Sequence, residues 1–462
     1  MNSMNQEQLE DQRMGGMRNV WILTISMAAL AICYTMLVPF LPVYLLDIGV
    51  PEDHAALWSG AVFSITFFIA GIMAPIWGKI ADKKGKKMMA VRAGFAIAFS
   101  YFLLGLVQGP WQLMAARAFQ GFANGFMPAA MTMVSLSVNE KRVGAALGIF
   151  QTGLILGNVV GPFMGGVIEN FVGMRPAFSV AAVIVGLATA AVLFFVKEPQ
   201  LAEAKRERSD QSGELTQDCK ENSSSVGGTS SATTPMRGHR APHAKATAHQ
   251  VHGESKHAHS SSIWEDFKFV RKHGILVQLL WIYFFMQCAL MMLQPILALY
   301  VGQMQGTMQG AAMLSGTILS MGGIAGSITT NLWVRYGQKK GYFRVISLCL
   351  TGAGTVLLLQ SLPFGVLWFG ALQILVGSFL VGVNPSLSAA ITLNTDPDFR
   401  GRIFGMTSTA QQFGCMVGPL FASVVSTYIG MSYVFVLTGL LLFYLAYTSF
   451  KLSKTHSTVG QE

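Results

Sequence analysis

Arg117 is the only charged residue between positions 93 and 139, and Gln120, Gly121, Asn124, Gly125 and Pro128 follow it. An arginine at membrane depth costs about 2.5 to 3.5 kcal/mol even on insertion scales, so it should face a polar interior and have a use. The alternative is snorkelling from a helix end, because Gln112 could start this helix only a few residues earlier. A second group works through the backbone: Gly157, Gly161 and Gly165 recur every four residues, with Pro162 and Gly166 among them. On a helix they form a stripe without side chains that a neighbouring helix can approach closely. Pro162 has no N–H for the Asn158 carbonyl, which predicts a kink there. In a third group, Asp82 is the only acid among Lys79, Lys83, Lys84, Lys86 and Lys87, between Gly78 and Gly85, two glycines that permit a tight turn. It is read as pairing with a base or facing a helix N-terminus; the alternative is that the cluster merely fixes orientation. Six of the nine histidines (His239, His243, His249, His252, His257, His259) crowd one stretch. Their spacing is irregular and lacks a zinc pattern, so no metal site is expected and a solvated linker is the reading.

The elements that must position these groups follow from apolar length. The chain has 462 residues, 52% of them hydrophobic and only 12% charged, which is the composition of a polytopic membrane protein. Runs free of charge and histidine cover 19–46, 55–78, 118–139, 143–168 and 176–196, and 93–116 precedes Arg117. Each is long enough for a helix to cross a bilayer. Runs over 274–334, 345–395 and 403–450 hold two spans apiece, divided by turn-forming residues at 302–310, 361–365 and 427–432. The total predicted is twelve helices. Residues 1–18 form a tail, 19–196 a first six-helix bundle, 197–262 a disordered Ser/Gly/His-rich linker, 263–450 a second bundle and 451–462 a second tail. The first apolar run is too long for a signal-peptide core and is read as a retained helix.

A net charge of +10 raises nucleic acid as a partner, but the basic residues mark topology instead. Loops after even-numbered helices are read as carrying Lys79, Lys83, Lys84, Lys86, Lys87, Arg92, Lys141, Arg142, Arg335, Lys339, Lys340, Arg344, Arg400 and Arg402, whereas Arg175 stands alone on the other side. The positive-inside rule then puts both termini and the linker in the cytoplasm. Cys33, Cys288, Cys349 and Cys415 fall in spans and Cys219 in the linker, so no disulfide framework is implied. No nucleophile–base pairing or phosphate-cradling loop is found, and an enzyme is not expected.

The second bundle repeats the first. A shift of 257 residues superposes Gly148, Gly157, Gly161 and Pro162 on Gly405, Gly414, Gly418 and Pro419, and Gly125 and Pro128 on Gly382 and Pro385. A shift of 256 superposes Leu37, Pro39, Leu41 and Tyr44 on Leu293, Pro295, Leu297 and Tyr300. The matches fall where backbone shape is set, as a duplication would leave them.

These residues resemble the major facilitator superfamily, with its two six-helix halves. Residues 78–87 resemble the loop signature G-x-L-A-D-R-x-G-R-K, with Ile80 and Lys83 as departures. Residues 117–121 resemble R-x-x-Q-G, and 157–166 resemble the antiporter signature G-x-x-x-G-P-x-x-G-G. Together they point to the twelve-helix drug:proton antiporters of bacteria. The resemblance implies alternating access, with Asp82 locking the cytoplasmic side near Arg402, assisted by Gly78, Gly85 and Lys86. It also implies Arg117 in a proton relay, and a flexible joint of Gly157, Gly161, Pro162, Gly165 and Gly166 that lies next to the opposite half and resists leakage, echoed by Gly414, Gly418 and Pro419. No cofactor is implied, only a proton gradient, a lipid bilayer and a lipophilic small-molecule substrate; the expected state is a monomer in the plasma membrane. The sequence departs from this pattern in having no Asp, Glu or His in mid-span; the nearest acids are Asp47, Glu169 and Asp82. In a lumen without acids, uncharged polar and aromatic residues contact the substrate: Tyr34, Gln120, Asn124, Gln287, Gln294, Gln373, Asn384, Gln411, Gln412 and Phe413. Met36, Met286, Met291 and Met292 lie near them as adaptable apolar surface. The alternative is an exporter, importer or facilitator dedicated to one metabolite, since the fold alone excludes neither.

Overall fold

The computed structural model describes residues 16–139, 142–197, 270–271, 274–395 and 399–457. The tail calls at 1–15 and 458–462, the linker with its six histidines and Cys219, and the side chains of Asp82, Lys83, Arg400 and Gly401 lie outside the described residues. Among the described residues the elements are sixteen α-helices. The first eight are α1 (Gly16–Thr35), α2 (Leu37–Asp47), α3 (Glu52–Lys84), α4 (Lys86–Leu106), α5 (Pro110–Ala123), α6 (Phe126–Leu136), α7 (Val143–Val172) and α8 (Met174–Phe195). The other eight are α9 (Gly274–Met292), α10 (Leu297–Gln305), α11 (Ala311–Lys340), α12 (Tyr342–Gln360), α13 (Val366–Leu380), α14 (Val383–Leu393), α15 (Arg400–Tyr428) and α16 (Met431–Ser457).

They make twelve spans, because the first and fourth span of each half consist of two consecutive helices: α1–α2, α5–α6, α9–α10 and α13–α14. The breaks follow the prolines. Pro39 cannot donate to the Thr35 carbonyl, and Pro128 cannot donate to that of Asn124, so the helix has no bond to continue on there. The freed Asn124 carbonyl accepts from Arg92 Nη2 at 3.4 Å instead. Arg92 also lies over the Trp77 ring, 3.6 Å from its centroid, and Trp77 Nε1 donates to the Phe122 carbonyl at 2.8 Å. Spans two and three thus grip the broken span four from outside. The three expected dividers all separate helices, with α10 ending at Gln305, α12 at Gln360 and α15 at Tyr428.

Ten helical stretches among the described residues are long and apolar enough to cross a membrane. The remaining two spans are α5–α6, cut short by its break, and α15, diluted by Gln411, Gln412 and its threonines. The turn after α3 corrects one expectation: the helix runs through Gly78 to Lys84, and only Gly85 is outside it. Gly85 takes φ +93°, a conformation closed to most side chains, and Gly341 repeats it with φ +94° at the equivalent point of the second half.

Buried apolar side chains form two clusters, one per half. They cross over only slightly: Ala298 and Ala312 join the first cluster, Ala55 and Ala56 the second. All four lie at the ends away from the basic loops. Within the halves, α1 packs on α7 and α4 on α8, repeated by α9 on α15 and α12 on α16. Between the halves, the main seams are α3 with α15 and α7 with α11.

Candidate functional site

Both seams are closed at one end and open at the other. On α3, Gly60 and Gly78 are eighteen residues apart, about five turns, and so share one face with Gly71 almost in line. A Cβ built on Gly60 would lie 2.5 Å from the Pro419 carbonyl oxygen; one on Gly71 would lie 4.0 Å from Gln412 Cβ; one on Gly78 would meet nothing within 4 Å. The other seam widens in the same direction. A Cβ on Gly166 would lie 3.0 Å from the Ala312 carbonyl and one on Gly316 would lie 2.9 Å from the Pro162 carbonyl carbon, whereas Gly144, on the Pro162 face, and Gly148 meet nothing. Gly405 on α15 is equally open. The two halves therefore enclose a wedge that opens toward the basic loops and is sealed at the opposite end.

The glycine stripe has a different partner from the one expected. Gly157, Gly161 and Gly165 face α1 of their own half: added Cβ atoms would lie 2.7 Å from the Ala28 carbonyl, 2.7 Å from the Ile32 carbonyl and 2.8 Å from Met36 Cα. Contact with the opposite half is made by Val159, Pro162 and Gly166, the residues on the other side of the helix. Gly414 and Gly418 likewise face α9, at 2.9 Å from Gln287 Cβ and 3.2 Å from Cys288 Cα, while Pro419 faces Gly60. A stripe that accepts one neighbour to backbone distance leaves no width for a second on the same face.

Arg117 is fully buried, which removes the snorkelling alternative. Its Nη1 donates to Gln120 Oε1, one helical turn on, and its Nε has no hydrogen-bond partner. The Phe63 ring covers it, 5.4 Å from guanidinium carbon to centroid. Tyr34 and Tyr101 lie within electrostatic reach, and Tyr101 is close enough to Gln120 to hydrogen-bond. Gly121 lets span four approach span two: a Cβ there would lie 3.1 Å from the Thr66 carbonyl carbon, and Thr66 Oγ1 donates to the Arg117 carbonyl at 3.2 Å. The energetics are unbalanced. A hydrogen bond to a charged group contributes about 1.5–3 kcal/mol and a cation–π contact about 0.5–2 kcal/mol. Burying the ion costs several kcal/mol, and no carboxylate lies in mid-span to offset it.

The other expected cavity residues divide. Tyr34 is partly exposed and within electrostatic reach of both Arg117 and Cys415 of the opposite half. Gln287, also partly exposed, hydrogen-bonds Cys415. These residues and Gln120 come together in the middle of the spans. Gln411 shares the Cys415 face, whereas Gln412 faces α3 and Phe413 is half exposed on a third side; consecutive helical residues point about 100° apart, so one cavity cannot hold all three. Asn124 folds back so that its Oδ1 accepts from the Gly125 N–H at 2.8 Å. Gln373 accepts from Gln360 Nε2 at 2.9 Å inside the second half. Gln294 sits in the α9–α10 break with an unpartnered Oε1, and Asn384 is exposed. Near the basic loops, Lys86 opens α4, and exposed Arg402 lies over the Phe399 ring at 4.7 Å. The Asp82 side chain that was expected to meet Arg402 lies outside the described residues.

Sequence reasoning missed Tyr101, Phe63, Cys415 and Ser320. The last accepts a hydrogen bond from the Phe163 N–H at 3.1 Å, across the seam. Ser320 lies four residues after Gly316, which signals a shared face; the other three are ordinary span residues whose neighbours only the fold supplies.

The family model of the Major Facilitator Superfamily matches residues 23–368 and 332–459. Multidrug resistance protein MdtG of Proteus mirabilis (strain HI4320) is 27% identical over 429 residues, 92% of this chain and 94% of that protein. The MdtG of Enterobacter lignolyticus (strain SCF1) is 28% identical, over 96% and 94%. Among solved structures, a mutant of the nucleoside transporter NupG superposes with a TM-score of 0.70 at 12% identity, covering 94% of this chain and 99% of that one. A bacterial homologue of the human lysosomal transporter Spinster, in an inward-facing and unoccupied conformation, gives 0.65 at 14% identity, over 95% and 97%. At such identities the structures speak for the fold alone. With two six-helix halves, a wedge between them and a family match over nearly every span, the chain belongs to the Major Facilitator Superfamily.

Proposed function

We propose that this transporter exports lipophilic small molecules across a bacterial cytoplasmic membrane by alternating access, in exchange for protons. Membership of the superfamily makes the chain a transporter and not an enzyme. The observation that carries the mechanism is the graded opening of both seams, from 2.5 Å at Gly60 to open space at Gly78. Such a gradient is what one rigid half rocking against another produces, with the pivot where glycine meets proline carbonyl. The basic loops surround the open end, so the positive-inside rule reads this as the inward-open state with both termini cytoplasmic. Relatives named for multidrug resistance support export of varied compounds. Partly exposed Met291 and buried Met286 and Met292 flank the α9 break, where unbranched thioethers adapt to different ligand shapes.

The test is accumulation of a panel of lipophilic dyes in an efflux-deficient bacterium. Expressing cells should retain several-fold less dye than vector controls, and a proton uncoupler should abolish the difference. Equal retention across the panel would sink the export reading, and export that survives uncoupling would sink proton exchange.

A further inference from the structure

We propose that the Arg117 guanidinium, with Gln120 and the Tyr34 and Tyr101 hydroxyls, is the binding site for the anionic head of a transported amphiphile. The inference rests on the export reading and adds the substrate class: organic anions, such as lipophilic carboxylates, in preference to neutral or cationic analogues.

Three observations lead there independently. First, the Arg117 side chain is fully buried, yet its Nε has no partner and its Nη1 meets only a neutral amide oxygen. Second, every one of the chain's Asp and Glu residues lies at a span end or outside the spans, so the described spans bring no carboxylate to this depth by rocking. A buried cation that no protein anion can reach is completed by an anion that arrives. Third, the neighbours suit that anion. Tyr34 and Tyr101 carry hydroxyls that can donate to an acceptor oxygen, and partly exposed Tyr34 is within electrostatic reach of both the arginine and Cys415 of the opposite half. Tyr34 is thus placed to admit a carboxylate from the wedge. Guanidinium geometry pairs with a carboxylate through two parallel N–H donors, and Arg117 has Nε unoccupied for one of them.

The site is on one side only. In the second half the equivalents of Arg117 and Gln120 under the 257-residue shift are Ile374 and Gly377. A ligand that bridges the wedge therefore meets charge from one wall and an uncharged surface from the other, which orients an amphiphile with its head toward span four.

The test uses purified full-length protein in detergent and a matched series of probes: 2-naphthoate, its uncharged isostere 2-naphthamide, and the cationic 2-naphthylmethylammonium. Wild type should bind naphthoate about tenfold or more tightly than either analogue. Arg117→Gln should lose that preference while still binding naphthamide, which also shows that the variant is folded. Arg117→Lys should keep part of the preference, since it restores charge without the fork. Equal affinity of wild type for the three probes, or undiminished naphthoate preference in Arg117→Gln, overturns the proposal. Because binding is measured without a gradient or a cell, these outcomes stay separate from a failure of dye export, which would count against the transport reading instead.

Discussion

The two seams between the halves occupy equivalent positions and differ in how completely they are satisfied. Along α7 and α11, Pro162 packs on Gly316, and the Phe163 N–H reaches Ser320 Oγ at 3.1 Å. Along α3 and α15, Pro419 packs on Gly60, the same pair with the halves exchanged. Yet Ser64, the counterpart of Ser320 under a shift of 256, is buried with no hydrogen-bond partner, as is Ser59 five residues earlier. Duplication has preserved the backbone joint, glycine under a proline carbonyl, and has left the side chains around it to diverge. Near the proline–glycine joint one seam carries a side-chain hydrogen bond, and at the matching place in the other the described serine makes none. The same divergence shows in spans four and ten, both broken near a shared glycine and proline, of which only span four carries a charge.

The loops at the open end offer the sharpest way to break the comparison. Asp82 and Gln338 are equivalent under the 256-residue shift, just before Gly85 and Gly341. If the acid closes the basic end, then Asp82→Asn removes a charge-assisted contact of about 1.5–3 kcal/mol. Transport should then fall by more than about tenfold, with membrane insertion unchanged on a blot of isolated membranes. Gln338→Asp should be tolerated, because the second loop has no gate to restore. Full activity of Asp82→Asn would make the two loops alike after all, both of them topology signals.

A smaller effect is expected from the glycines. Gly60→Val and Gly316→Val force side chains into backbone at the closed end, an overpacking that costs about 1–3 kcal/mol. Gly148→Val and Gly405→Val meet open space here, yet they lie on the faces that must come together when the basic end closes. The first pair should shift the population toward the outward-open state and the second should trap the inward-open one. Spin-label distances across the basic ends measure this: shorter for the first pair, longer for the second. If both pairs shift the distances the same way, rocking about the proline–glycine joints is wrong.

How far these features were legible in the sequence depends on which physical quantity wrote them. Span number and dividers follow from apolar length and turn residues, and residues 302–310, 361–365 and 427–432 separate helices as expected. The paired breaks were visible as coincident Gly125/Gly382 and Pro128/Pro385, because a backbone break needs particular residue types. The partner of the glycine stripe was not legible. Spacing shows that Gly157, Gly161 and Gly165 share a face, but which helix fills it is set by tertiary packing, and it is α1 of the same half. Cavity residues were the least legible. Polarity alone picked Asn124 and Gln373, whose side-chain oxygens are taken up by the Gly125 N–H and the Gln360 amide, and it passed over Tyr101, because hydrogen bonds within the protein and contacts with ligand draw on the same residue types.

The finest test of the seams is a single hydroxyl. Ser320→Ala removes the acceptor for the Phe163 N–H, and a typical hydrogen bond contributes about 0.5–1.5 kcal/mol net. Ser64→Ala removes a buried hydroxyl that already lacks a partner, so its loss costs nothing in hydrogen bonding and relieves desolvation. Thermal unfolding in detergent should therefore show Ser320→Ala lowered by about one degree and Ser64→Ala unchanged or raised, although both trade serine for alanine at equivalent positions. The transport rates should order the other way round: losing the Phe163–Ser320 bond eases opening of the sealed end, while Ser64 makes no bond whose loss could do so. Equal responses of the two variants would mean that the seams are energetically alike, and that the Phe163–Ser320 bond is an accident of close packing, with no part in holding the halves together.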